Sequence, residues 1–218
     1  MKNLINRNVN DVFDEIIRKR RSIRSFKSII PSKEIIKEII TAGAYAPYGA
    51  LAITDISQYR RFFVFTKNHG YLDRINTYIK DAAKANLEEL EKDLKKDPDL
   101  KEESESYKRR LESFAMNGFI GLSEVPSLVI IAEKRGLPSV ERQSLAHVLE
   151  NMWLKVAAMD MGMHLFSIIE SLSNSEEFSN LLKLNHGEYT YTGCVIGFPL
   201  TKSEMKEDIH VDKSISWY

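Results

Sequence analysis

Residues 18–26, RKRRSIRSF, bring Arg20, Arg21, Ser22 and Arg24 together in one short turn. Guanidinium groups form paired, charge-assisted hydrogen bonds to phosphate, each worth about 1.5 to 3 kcal/mol, and a serine hydroxyl can complete the shell. The stretch therefore has the chemistry of an anion seat. Cations in the last turn of a helix also complement its macrodipole, and these residues taken alone fit that use as well.

The elements that must position this turn follow from spacing. Asn10 or Asp11 can cap a first helix, Asp14 and Glu15 suit its first turn, and Val12, Phe13, Ile16 and Ile17 recur at helical intervals. Pro31 and Ser32 open a second helix, whose Ile35, Ile36, Ile39 and Ile40 form an apolar stripe before Ala46 and Pro47 stop it. Three apolar runs, RFFVFT at 61–66, PSLVIIAE from 126 and YTGCVIGF from 191, read as buried strands. An amphipathic helix is predicted from Ser139 to about Met161, and a shorter one at about 175–184. The alternation predicts an α+β or α/β sandwich with helices covering a sheet. Residues 81–112 interleave charges of both signs, which predicts an exposed helical insertion or lid, with Pro98 dividing two helices. The polar tail 201–218 ends in Ser216, Trp217 and Tyr218, an aromatic end expected to dock on another surface as an arm to a partner subunit.

Composition removes several function classes. The 218 residues suit one domain, and 31 basic against 31 acidic residues leave no global field for nucleic acid or an anionic membrane. One cysteine, Cys194, excludes an intrachain disulfide, a cysteine zinc cluster and a self-contained iron–sulfur site, and it sits in an apolar strand as an inert thiol. That usage fits a reducing compartment. With no signal-like or membrane-length apolar run, the chain reads as a soluble cytoplasmic protein. His69, His147, His164, His186 and His210 have no ligand spacing, so no metal is expected. Dinucleotide GxGxxG, P-loop and GxSxG motifs are absent. Met152, Met159, Met161 and Met163, with Trp153, read as core or subunit packing.

The order of motifs carries more than any one of them. RRSIRSF, AGAYAP, QYRRFFVF, VPSLVII, AAMDMGMHLFSI and GCVIGFP follow one another, and from about residue 11 to 217 the chain resembles the nitroreductase-like family of FMN flavoproteins. The resemblance implies an α+β fold: a single nitroreductase-like domain over 1–218, with a central, mainly antiparallel sheet wrapped by helices and the charged insertion at about 81–112. It also implies a homodimer with FMN at the subunit interface and a C-terminal tail exchanged onto the partner.

For individual residues, the resemblance places Arg20, Arg21, Ser22 and Arg24 on the flavin phosphate and pyrimidine edge, with Arg24 or Arg20 beside N1 and O2. Pro47, Tyr48 and Gly49 occupy a turn that contacts FMN from the other subunit. Gln58 matches the glutamine of the family's Asn-x-Gln-Pro-Trp signature, but Tyr59 and Arg60 replace Pro-Trp, as in a divergent subfamily. The segment Phe166 to Ile169, with Ser167, Ile168 and Ile169, corresponds to the N5 contact, plain packing being the alternative. Lys202 or Lys206, after Gly197, Phe198 and Pro199, would add to phosphate binding. The implied activity is NAD(P)H-dependent, ping-pong hydride transfer to a nitroaromatic, quinone or flavin acceptor, with no protein acid or base. Reductive dehalogenation, flavin processing and a non-catalytic flavin-binding module are the alternatives.

Overall fold

The most apolar and β-branched stretches of the chain assemble into one antiparallel sheet of β1 (Arg60–Thr66), β2 (Ser127–Lys134), β3 (Gly162–Leu165) and β4 (Tyr189–Gly197), in the order β1-β2-β4-β3. The computed structural model describes residues 8–218 except 51, 52, 54, 98 and 203. Around the sheet pack α1 (Val9–Lys19), α2 (Lys33–Ala44), α3 (Ile56–Tyr59), α4 (Tyr71–Lys96), α5 (Leu100–Asn117), α6 (Glu141–Ala158) and α7 (Glu176–Leu181). Both central strands are buried on both faces, which is why they read as unbroken apolar runs. Side chains alternate across a strand, so Leu128, Ile130 and Val195 meet Leu72, Ile75 and Ile79 of α4, while Val129, Ile131 and Cys194 meet Ile39, Val148 and Met152 of α2 and α6. Helices thus cover a sheet on both sides, an α+β arrangement.

Local signals explain most element ends. Ser32 caps α2 by accepting from the Ile35 amide at 3.3 Å. The expected cap of α1 at Asn10 or Asp11 is corrected: Asn8 accepts from the Asn10 amide at 3.1 Å and the helix starts at Val9. Helix α6 stops at Ala158, before the expected Met161, because Asp160 takes a left-handed φ of 56° and turns the chain directly into β3.

The charged stretch forms two helices as expected, although Pro98 itself lies outside the described residues. Lys108 pairs with Glu91 at 3.8 Å and the Phe119 amide donates to Asn76 at 2.7 Å, so α4 and α5 run as an antiparallel hairpin. Its full exposure is corrected, since Ala83 and Leu111 are buried in the core and Leu87 and Leu90 pack against it.

One buried ion pair fastens the layers. Arg60 and Glu133 face each other across β1 and β2 at 2.6 Å, with both side chains fully buried. The other Arg60 nitrogens donate to the Ala46 carbonyl at 3.0 Å, the Pro47 carbonyl at 3.2 Å and Ser144 Oγ at 2.9 Å. Ser144 in turn donates to the Pro47 carbonyl at 2.7 Å. Tyr59 stacks on Tyr48 at 4.3 Å, and the Tyr48 hydroxyl donates to the Lys134 carbonyl at 3.2 Å. The two residues that depart from the Pro-Trp signature therefore hold the 46–48 loop. Burial raises the Glu133 carboxyl above its ordinary value, against the lowering by Arg60 and Ser144. Replacing Arg60 by Met strands that carboxylate, and urea unfolding should show a loss of about 3 to 5 kcal/mol, most of it recovered in the Arg60→Met, Glu133→Leu double variant. A single variant as stable as the parent would contradict this reading.

Candidate functional site

The basic turn is stitched to the sheet on two sides. Ser22 pairs in parallel with Met163 of β3, and the Ile23 amide donates to the Met163 carbonyl at 3.0 Å. Further along, the Lys27 amide donates to the Phe198 carbonyl at 2.8 Å and the Leu200 amide to the Ser25 carbonyl at 3.0 Å. Gly162 permits the approach: a Cβ there would sit 2.8 Å from the Cβ of Ile23, too close for either backbone. Helix α6 supports the turn from another side, where Trp153 Nε1 donates to the Arg21 carbonyl at 3.0 Å.

The side chains of the turn divide into spoken-for and free. Arg20 lies 4.7 Å over the Trp153 ring and 3.4 Å from Glu150, so its guanidinium is held against α6. Arg21 and Arg24 have no ion pair among the described residues. The tail then returns along α1, with the Lys206 amide donating to the Arg18 carbonyl at 3.0 Å and Arg18 pairing with Asp208 at 3.1 Å. Burial first, then the charges of Arg20 and Arg21, hold the Lys206 ammonium below the ordinary lysine value. Cations crowded until they repel one another form a seat that an anion would relieve. Lys202 acts, with Lys19, on the carboxylate of Asp160.

Strand β3 connects this seat to the second predicted segment. The Phe166 amide donates to the Gly193 carbonyl at 2.8 Å, and Phe166, Ile168 and Ile169 are buried in the core, while Ser167 is exposed. Ser167 and Ile168 also line a cavity of about 1040 Å³ between α5, residues 135–143 and residues 167–174. Packing and a surface contact thus coexist in this segment. Pro47 and Gly49 are exposed and Tyr48 half-buried; Gly49 faces Val140, on the rim of that cavity, and the hydrogen bonds of Pro47 and Tyr48 stay with Arg60, Ser144 and Lys134. These three residues do not join the basic turn of their own chain.

Two participants escaped the sequence reading. Trp153, read as packing, carries Arg20 on its ring and fixes the backbone of Arg21. His164, on β3, is half-buried with Nδ1 enclosed and unpartnered, and burial first, then Arg24, lowers its affinity for a proton. Nothing in its local sequence marks it, because β3 is only four residues long. Cys194 is fully buried and burial pushes its thiol far up, as expected of an inert group. Among the described residues no cluster of His, Cys, Asp or Glu could hold a metal ion, and no helix is long and apolar enough to cross a membrane.

A profile of the Nitroreductase family matches residues 17–198, from the end of α1 through the basic turn to the end of the sheet. The chain belongs to the nitroreductase family. No curated protein matches its sequence. Among solved structures it is similar to a nitroreductase with bound FMN from Bacteroides fragilis NCTC 9343, with 18% identity, 94% of this chain and 98% of the other covered, and a TM-score of 0.67. A BluB-like flavoprotein from Clostridium difficile 630 shares 21% identity over 97% and 99% of the two chains, with a TM-score of 0.66. A nitroreductase with bound FMN from Desulfitobacterium hafniense DCB-2 shares 18% over 94% and 97%, with a TM-score of 0.61. At these identities the likeness is one of fold, and it agrees with the α+β sandwich. In this nitroreductase-family chain Lys206 lies beyond the matched span.

His164 gives a pH test of the site's geometry. Because its folded value lies below the ordinary 6.5, the unfolded chain takes up a proton first as the medium acidifies. Stability should be complete above that value and fall as pH drops through the lowered folded one. Urea midpoints measured from about pH 7.5 to about pH 5 should decline less steeply in His164→Gln than in the parent. Parallel curves would contradict the burial assigned to this imidazole.

Proposed function

We propose that this nitroreductase-family chain is an FMN-dependent oxidoreductase, which draws electrons from NAD(P)H and passes them to a small-molecule acceptor such as a nitroaromatic, quinone or flavin. The observation that carries the reading is the meeting of Arg20, Arg21 and Lys206 beside β3, whose far end leads straight into Phe166–Ile169. A phosphate and a ring system fit the two ends of that strand. Two of the similar structures were solved with FMN bound, which supports the same cofactor here.

In this reading Arg21, Ser22 and Lys206 hold the phosphate. Arg20 is already engaged by Glu150 and Trp153, so Arg24 is the guanidinium left to oppose negative charge at the pyrimidine edge. Bound FMN would supply hydride acceptance and release at N5, chemistry that no side chain offers. Ser167, the exposed residue of the segment, would face that edge with Ile168 beside it, while Ile169 anchors the segment in the core. Pro47, Tyr48 and Gly49, held by Arg60 and Tyr59, are presented to a second protomer. Val9, Phe13 and Ile17 of α1, with Ile209, Val211 and Trp217 of the tail, are exposed apolar groups that a homodimer would cover.

Titrating FMN into apo-protein by fluorescence quenching tests the seat. Lys206→Met should weaken FMN at least about tenfold, the equivalent of about 1.4 kcal/mol, with no loss of apo-protein stability because mutual repulsion is removed. For the parent, affinity should fall as pH climbs through the lowered Lys206 value, before the ordinary lysine value of 10.5, and the variant should lack that fall. Steady-state oxidation of NADH and NADPH with nitroaromatic, quinone and flavin acceptors tests the reaction. Flavin-loaded protein inert with all of them would refute the oxidoreductase reading.

A further inference from the structure

The cavity beside Ser167 and Ile168 has an uncompensated charge that the binding of a flavin does not use. Its outer wall is the α4–α5 hairpin, which contributes Tyr107, Arg110 and Phe114, and Asn86 Nδ2 latches the hairpin to Ser171 Oγ at 2.7 Å. The charged groups on its walls are three arginines and two glutamates. Arg142 and Glu170 neutralise each other at 2.6 Å. Glu141 is 6% exposed, accepts from Ser139 Oγ at 3.0 Å through one oxygen, and keeps the other covered. Arg135 donates to Thr190 Oγ1 and to the Ser173 carbonyl, each at 3.3 Å. Both acceptors are neutral, so its charge is fixed in place and unanswered. Arg110 has no ion pair among the described residues and lies 5.9 Å from the centre of the Tyr107 ring.

Three guanidinium groups against two carboxylates leave one net positive charge beside two aromatic rings, which describes a ligand that is flat and singly anionic. We propose, resting on the oxidoreductase reading above, that this cavity selects aromatic electron acceptors bearing a carboxylate, with Arg110 as the specificity-determining residue and Arg135 as a fixed second cation. Guanidinium geometry matches a carboxylate in bidentate fashion, and ring faces favour a planar body. The charged hairpin thereby acquires a function: it carries the selecting cation to a site whose other wall is the Ser167 segment.

The test uses the full-length protein, as purified and after FMN loading, with 4-nitrobenzoate and nitrobenzene as probes. Calorimetric titration should show the carboxylate probe bound at least about tenfold more tightly, and kcat/KM should favour it by a similar factor. Arg110→Gln should bring the two probes close to parity, and Arg110→Lys should keep part of the preference. Arg110 is exposed on α5, so thermal unfolding of both variants should match the parent. Equal binding of the two probes by the parent, or an unchanged preference in Arg110→Gln, overturns the proposal. So does a variant whose only change is a higher KM for NAD(P)H, which would assign the cation to the dinucleotide. Failure of the oxidoreductase reading would show as no NAD(P)H oxidation with either probe, while calorimetry would still decide the selectivity of the cavity.

Discussion

The placement of the basic turn in this molecule depends on the edge of β3 being paired. A sheet edge leaves backbone donors and acceptors unsatisfied, and here the chain from Ser22 to Lys27 satisfies them through Met163 and then follows the exit of β4 through Phe198 and Leu200. The pairing fixes the backbone of the basic turn against the sheet, while the side chains of Arg21 and Arg24 stay exposed. It also sets the distance between the cations and Phe166–Ile169, because only the end of a four-residue strand separates them. Gly162 is the enabling residue, since a side chain there would drive Ile23 off the edge.

A second constraint acts on the opposite side of the sheet. Arg60 is buried with five N–H donors on three nitrogens, and it donates to Glu133, Ser144 and two loop carbonyls. Buried ion pairs add little net stability, yet they tolerate few alternative arrangements. The 46–48 loop is consequently rigid although Pro47 itself is exposed.

The sequence disclosed what local pattern controls and concealed what tertiary pairing controls. Three strands were legible because each is a long apolar run, and α2 because Ser32 and four isoleucines mark it. Strand β3 was hidden behind the methionine-rich end of α6, where four residues are too few to show a period. Asn8, Asn10 and Asp11 are chemically equivalent caps, so only the folded chain chooses among them. Arg60 read as a departure from a signature, since its partner Glu133 lies 73 residues away. The approach of Lys206 to Arg20 and Arg21 follows the hydrogen bond of the Lys206 amide to Arg18, which no spacing rule encodes. Residues 81–112 looked solvated because charge covers one side of each helix, while Ala83 and Leu111 point into the core.

FMN and riboflavin differ only by the phosphate, so their relative affinity for the apo-protein isolates the role of the basic turn. Two or more charge-assisted hydrogen bonds at about 1.5 to 3 kcal/mol each predict that FMN binds at least about a hundredfold more tightly at moderate salt. Equal affinity for the two flavins would mean that Arg21, Ser22 and Lys206 do not hold a phosphate, and the central assignment would fall.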